Sequence, residues 1–231
     1  MSDIVFHSKR LLTAISARNV PQDLDTLGDS INYPNLRDLT EQFLFEHLNP
    51  QSEPSDLEYP SISSKISVFR SAVATFYTPS DESGIHGMRR ERIRASPSWR
   101  WKVPRYDTAL VVEDESQPGM RGLRVVRVKL FFSFLFDGVE YPCALVEWFS
   151  RIGNRPDPDT GLWRVKPDVT GGKRDVSVIH LDSFFRGTLL LPIFDRDRFL
   201  PRHFHHGYTL DSFHSYYVNK YSDHLAHEML F

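Results

Sequence analysis

The chain of 231 residues is long enough to bury one sizeable core, and a composition of 40% hydrophobic and 25% charged residues is ordinary for a globular protein. Its 28 basic and 30 acidic residues give a formal net charge of −2, so any basic surface must be local. No apolar run reaches the roughly 20 residues of a membrane-spanning helix, and the first residues lack the apolar region of a secretory signal. The single cysteine, Cys143, excludes an internal disulfide and a cysteine-based zinc site within one chain, and we expect an intracellular protein.

The first 34 residues are poorly patterned, and we expect a loosely ordered or loosely helical arm there. A single α+β domain is predicted over residues 35–231. Its parts are a helix and strand layer (35–87), a basic connector (88–106), a β core (107–195) and a C-terminal helix (208–230).

The first clear helix is predicted over Leu36–Leu48, because apolar residues recur there at spacings of three and four. Asn35 is its candidate N-cap, and Asn49-Pro50 ends it. Residues 65–78 have the β-branched and aromatic density of a strand, which the next proline ends.

Residues 88–105 concentrate basic and aromatic side chains around a single acid, Glu91. Guanidinium groups pair with phosphates, and indoles stack on bases. An equally open interpretation is a solvated connector whose tryptophans pack into a neighbouring core. The candidate nucleic-acid contacts are Arg89, Arg90, Arg92, Arg94, Trp99, Arg100, Trp101, Lys102 and Arg105.

Asp137-Gly138 stands between two apolar runs and predicts a two-residue hairpin turn. The predicted register pairs Phe136 with Val139, Phe134 with Tyr141, Phe132 with Cys143, Leu130 with Leu145 and Arg127 with Trp148. The period of two then buries the phenylalanines and Cys143 together with Val126 and Val128. On the opposite face we expect Trp148 to be covered, either by Arg127 or, preferably, by the helix Leu36–Leu48.

Short strands are predicted at residues 107–113, 162–166, 176–181 and 188–194. Many short strands with few helices indicate a small antiparallel β-barrel or sandwich as the core of the α+β fold. The chain then ends in a helix with Thr209 as candidate N-cap, because apolar residues recur after it at spacings of three and four.

The sequence gives no support for catalysis or for a metal site. The segment from Asp157 to Gly161 lacks the further oxygen ligands of a calcium loop, and predicts a turn held by aspartate side chains. Gly171-Gly172-Lys173 lacks the rest of a phosphate-binding loop and predicts a hairpin or loop tip. The six histidines from His203 to His227 lack the spacing of a zinc protease, so we expect no metal, no cofactor and no catalytic residue.

Several long strings of this sequence are similar to a known family. They include GMRRERIRASPSWR (residues 87–100) and GVEYPCALVEWFSR (residues 138–151), and the others occupy residues 104–108, 119–123, 178–183 and 217–224. They resemble the C-terminal region of fungal Plavaka-type transposases of the Kyakuja–Dileera–Zisupton superfamily, over residues 34–230. In that family the region follows a metal-dependent catalytic core and a cysteine-rich zinc module, and neither is found in this sequence. The resemblance therefore implies a transposon-derived accessory domain, onto which no catalytic carboxylate can be carried.

Three hypotheses about function stay open. The first is a non-catalytic module of the nucleus that binds DNA or chromatin through residues 88–105. The second is a protein-interaction or oligomerisation domain of a transposase complex, which requires an exposed aromatic patch. The third is a decaying transposon remnant with a fold but no selected role. None of the three involves a membrane or a small-molecule substrate.

Overall fold

The structure is a computed structural model that describes residues 9–12, 17–51, 59–77, 88–99, 103–194, 202–222 and 226–227. It confirms an α+β fold with a nearly closed, barrel-like antiparallel sheet and few helices. The helices are α1 (Leu24–Ser30), α2 (Leu36–Leu48) and α3 (Thr209–Ser212), with single 3₁₀ turns at Gly119–Arg121, Leu181–Ser183 and His206–Tyr208.

The strands of the first half are β1 (Lys9–Leu12), β2 (Ser67–Phe69), β3 (Ser71–Tyr77), β4 (Met88–Trp99), β5 (Val103–Tyr106), β6 (Thr108–Val112) and β7 (Leu123–Phe136). Those of the second half are β8 (Val139–Arg151), β9 (Arg164–Pro167), β10 (Val169–Thr170), β11 (Lys173–Arg174), β12 (Val176–His180), β13 (Phe184–Thr188), β14 (Leu190–Pro192) and β15 (Tyr216–Val218). The predicted strand over residues 65–78 is thus divided at Arg70, and the one over residues 188–194 begins only at Leu190.

Three sheets organise these strands. The largest has nine strands in the order β13-β6-β7-β8-β9-β15-β14, with β12 also paired to β8 and β2 to β7. A second sheet has the order β1-β3-β4-β5, and β10 and β11 form a small hairpin. The tip of that hairpin is Gly171-Gly172, as predicted, and both glycines have positive φ. The second sheet carries the basic segment.

The β7–β8 hairpin confirms the predicted turn at Asp137-Gly138, where both residues have positive φ. The predicted register holds from the turn back to the pair of Leu130 and Leu145. A β-bulge between Val128 and Leu130 then shifts it, because β7 contains one extra residue there.

The bulge makes two parts of the prediction wrong. Arg127 pairs with Glu147, and Trp148 pairs with Val126. Val126 and its neighbour Val128 turn away from the phenylalanine face and pack in a different cluster. The cover of Trp148 is Arg124, whose guanidinium carbon lies 4.4 Å from the ring centroid, and neither Arg127 nor α2 covers it.

Both faces of the β7–β8 hairpin are buried. Phe132, Phe134 and Cys143 pack under helices α1 and α2, so the helical layer lies on the phenylalanine face. Cys143 is fully buried, as predicted, and its burial raises the pKa of the thiol far above the usual range. The other face packs against β3 and β4 of the second sheet, through residues such as Ala72 and Ile93.

Helix α1 lies inside the stretch that the sequence predicts as a loosely ordered arm. Asp23 caps it, because its carboxylate accepts from the backbone N–H groups of Asp25 at 3.0 Å and Thr26 at 3.1 Å. Leu24 and Leu27 are buried in the same core as α2. Residues 24–30 therefore belong to the helical layer of the domain.

Two further predictions are wrong. The basic connector (88–106) forms strands β4 and β5, because Ile93 and Ala95 alternate with its charges and bury one face of β4. The C-terminal helix (208–230) is not continuous, because α3 covers only Thr209–Ser212 and β15 follows it, although residues 226–227 are again helical. Tyr216 lies in β15 and is fully buried, so tertiary burial has overridden the helical spacing.

Candidate nucleic-acid interface

Strand β4 sorts the basic residues onto two faces. Side chains alternate along a strand, so Arg90, Arg92 and Arg94 share the face opposite to Ile93 and Ala95. Ile93 and Ala95 are buried, whereas Arg90 and Arg92 are exposed. The three arginines therefore form a row on the outer face of the second sheet, with successive Cα atoms about 6.7 Å apart.

Strand β5 adds a fourth guanidinium group to this row. Arg105 pairs with Ser96, which lies on the same face of β4 as Arg94. Arg105 Nε donates to Asp107 Oδ1 at 2.8 Å, and Arg94 Nη1 lies 3.8 Å from Asp107 Oδ2. The backbone N–H of Arg94 also donates to Asp107 Oδ2 at 3.0 Å, which holds this carboxylate in place.

The outer face is rich in positive charge. Asp107 contacts two of its four arginines, Arg94 and Arg105. The other two, Arg90 and Arg92, are exposed. Burial lowers the pKa of Arg94, and its neighbours Arg105 and Arg92 lower it further, which reflects the crowding of like charges. We name this set, Arg90, Arg92, Arg94 and Arg105, the arginine row.

Arg89 and Glu91 lie on the other face of β4. Glu91 Oε2 accepts from the backbone N–H of Gly187 at 3.1 Å and lies 3.8 Å from Arg186 Nε. The one acid of the basic segment therefore bonds to the barrel through β13. Arg89, a predicted phosphate contact, is separated from the row by the alternation of the strand.

The remaining predicted contacts are Arg100, Trp101 and Lys102, which lie outside the described residues. Trp99 is described only as the last residue of β4, whose backbone pairs with Val103. Base stacking by the two tryptophans therefore stays a prediction.

A cleft of about 560 Å³ opens beside the arginine row, between the second sheet and the strands β13 and β14. Three members of the row line it, together with Arg89 and the two carboxylates of Glu91 and Asp107. Tyr106, Leu189, Leu190 and Leu210 give it apolar walls, and Thr108, Thr188, Thr209 and Ser222 add hydroxyl groups.

A second charged cluster lies inside the barrel, and the sequence did not predict it. Arg127 and Glu147 are only 4% and 3% exposed. Glu147 Oε2 lies 3.5 Å from Arg127 Nη1, and Glu147 Oε1 lies 3.4 Å from Lys129 Nζ. The hydroxyl of Tyr33 donates to Glu147 Oε1 at 2.6 Å. Burial lowers the pKa of Lys129, and Glu147 opposes that effect.

This buried charge cluster connects three parts of the chain. Tyr33 belongs to the helical layer, Arg127 and Glu147 to the barrel, and Asp211 to α3, where it accepts from Arg127 Nη1 at 2.6 Å. In the described part of the chain, three buried side-chain atoms lack a hydrogen-bond partner, and they are Arg127 Nε, Glu147 Oε2 and Arg174 Nη1. The sequence carries a signal for this cluster, because opposite charges lie within two paired apolar strands. The β-bulge, which was not predicted, changes which of these charged residues pair.

Metal ligation and membrane crossing have no support in the described ranges. No group of three or more His, Cys, Asp or Glu side chains there could hold a metal ion. Asp157 forms the predicted turn, because its Oδ1 accepts from the backbone N–H groups of Asp159 at 3.2 Å and Thr160 at 3.1 Å. None of the described helices is long and apolar enough to cross a bilayer.

Comparison of the chain with protein-family models, with curated proteins and with solved structures found no match. The resemblance to the transposase family therefore stays a prediction.

Proposed function

We propose that the protein is a non-catalytic nucleic-acid-binding module whose contact surface is the arginine row. The observation that supports this is the alternation of β4, which leaves Arg90 and Arg92 exposed on one face while Glu91 bonds to the barrel on the other. A sheet face that exposes two neighbouring arginines suits a phosphate backbone, because guanidinium groups bind phosphates in a planar, bidentate manner.

The transposase resemblance extends this proposal to DNA or chromatin in the nucleus. It makes the module an accessory part of a DNA transposon protein, with its chemistry supplied by another domain. A chain of net charge −2 with a local basic surface suits such a role, because its attraction to nucleic acid is confined to one face.

The test is a pair of double variants that change the total charge equally. Arg90→Ala/Arg92→Ala removes the two exposed arginines of the row, and Arg121→Ala/Arg155→Ala removes two exposed arginines elsewhere. Fluorescence anisotropy with a labelled DNA across a salt series gives the affinity and its salt dependence. The row variant should lower the slope of log affinity against log salt by about 1.4–1.8, because each lost phosphate contact contributes about 0.7–0.9.

The control variant should keep the slope of the unmodified protein. Equal slopes for both double variants would mean that binding depends on total charge alone, and the proposal would be wrong.

A protein-interaction role is the second candidate, and one observation favours it. Leu189, Leu191 and Phe194 are exposed along the edge strand β14 and its flanks, at 52%, 38% and 61%. Apolar side chains on an edge strand can receive a second polypeptide. Light scattering over a concentration series should reveal self-association if a second copy of the chain is that partner. If the protein is a monomer and binds DNA, self-association through this strand is excluded as its function.

A further inference from the structure

The cleft beside the arginine row has the composition of a nucleotide site. We infer that it receives one nucleotide of a bound strand, so that single-stranded nucleic acid is preferred over continuous duplex. This inference rests on the proposed function and names its ligand more closely.

The size of the cleft selects the ligand. Its volume of about 560 Å³ lies within the roughly 300–1,000 Å³ of sites for small molecules. A duplex keeps its bases stacked inside and presents phosphates on a convex surface, so it cannot fill a concave site of this size. A single strand can turn one base out of its stack and place that base in a pocket.

The walls of the cleft match the two kinds of surface of a base. Tyr106, Leu189 and Leu210 offer apolar contact to a ring face. The hydroxyls of Thr188 and Ser222 can donate to or accept from the polar edge of the ring.

The charges of the cleft place the phosphate at its mouth. Arg92, Arg94 and Arg105 belong both to the lining and to the arginine row. Asp107 and Glu91 also line the cleft, so its interior is less positive than the arginine row, and a carboxylate there can accept from a base amino group. The strand therefore runs along the row, and one of its bases enters the cleft.

The experiment separates bases from phosphates. Anisotropy compares three probes of about 12 nucleotides, which are a single strand, its duplex, and an abasic strand with the same phosphates but no bases. The intact single strand should bind about tenfold more tightly than the abasic strand, because one stacked base contributes on this scale. It should also bind more tightly than the duplex at the same salt concentration.

A matched pair of variants locates the effect. Leu189→Ser removes an exposed leucine that lines the cleft, and Leu191→Ser removes an exposed leucine outside that lining. Leu189→Ser should reduce the ratio of affinities between the intact and abasic strands without changing the salt slope, and Leu191→Ser should leave the tenfold ratio intact.

Equal affinity of the unmodified protein for intact and abasic strands would show that the cleft binds no base. The proposed role of the arginine row would not be affected by that result. A ratio that does not change at all in Leu189→Ser would also overturn the nucleotide site, because the base would then be bound away from this wall. Absence of binding to all three probes would overturn the inference together with the proposed function.

Discussion

The buried charge cluster makes a quantitative prediction about stability. Glu147 is 3% exposed and is shared by Arg127, Lys129 and the hydroxyl of Tyr33. Glu147→Ala would leave the two cations buried without this carboxylate and the phenol without its acceptor. Breaking one partner of a buried pair costs about 3–5 kcal/mol. We expect a loss of this size in the free energy of unfolding.

The matched control is an ion pair on the surface with a similar distance between its charged atoms. Glu113 Oε1 lies 3.3 Å from Arg124 Nη1, but its side chain is 49% exposed. Glu113→Ala should cost about 0–1 kcal/mol, because water screens an exposed pair. Urea denaturation followed by tryptophan fluorescence gives the free energy of unfolding of both variants. An m-value common to both supports treating their unfolding as two-state.

Glu147→Gln separates charge from shape. The amide retains an acceptor for Tyr33 but loses its attraction to the cations, so its cost should lie between those of the two alanine variants. If Glu147→Ala cost no more than Glu113→Ala, the cluster would be solvated in solution and the described burial would be incorrect.

Two further predictions concern the core and its dependence on pH. Phe134→Ala should lower the free energy of unfolding by about 3–5 kcal/mol, because Phe134 is fully buried on the helical face; a loss below about 1 kcal/mol in the same urea assay would contradict the core assignment. Burial lowers the pKa of His180 from 6.5, with His47 adding to the effect and Asp182 opposing it, so the unfolded chain binds a proton more readily than the folded one. Stability should therefore fall as the pH drops below 6.5 toward the lower folded pKa, and His180→Phe should remove this part of the loss while the exposed His214→Phe keeps it. The same pH dependence in both histidine variants would show that other groups cause it.

Local signals were sufficient for the parts of the fold that depend on neighbouring residues. The turn at Asp137-Gly138 needs two residues that tolerate positive φ, and it set the register of seven residues on each strand correctly. Helix α2 followed from its apolar spacing, although Asn35 makes no side-chain cap bond. Cys143 is buried because both the turn and the period of two put it in the core.

The errors come from features that the local pattern does not encode. One extra residue between Val128 and Leu130 moves the side chains of the rest of β7 to the faces opposite to those predicted. It also changes the residue with which Arg127 pairs. Tyr217 fits the predicted helical spacing as well as a strand, and its pairing with Arg164 decides between them. Such choices depend on distant strands, which a single sequence does not place.

The sequence shows how many basic residues β4 carries, and their role as nucleic-acid contacts stays a prediction. Their density concealed the alternation that separates Arg89 from Arg90. The cleft could not be foreseen, because Leu189 and Ser222 reach it from strands and turns distant in sequence.

The salt dependence of nucleic-acid binding by the unmodified protein shows whether the arginine row contacts phosphates. If the four guanidinium groups of the arginine row contact phosphates, log affinity for a single strand should fall against log salt with a slope of about −3. Binding that is absent at about 50 mM salt, or that does not change with salt, would contradict the account.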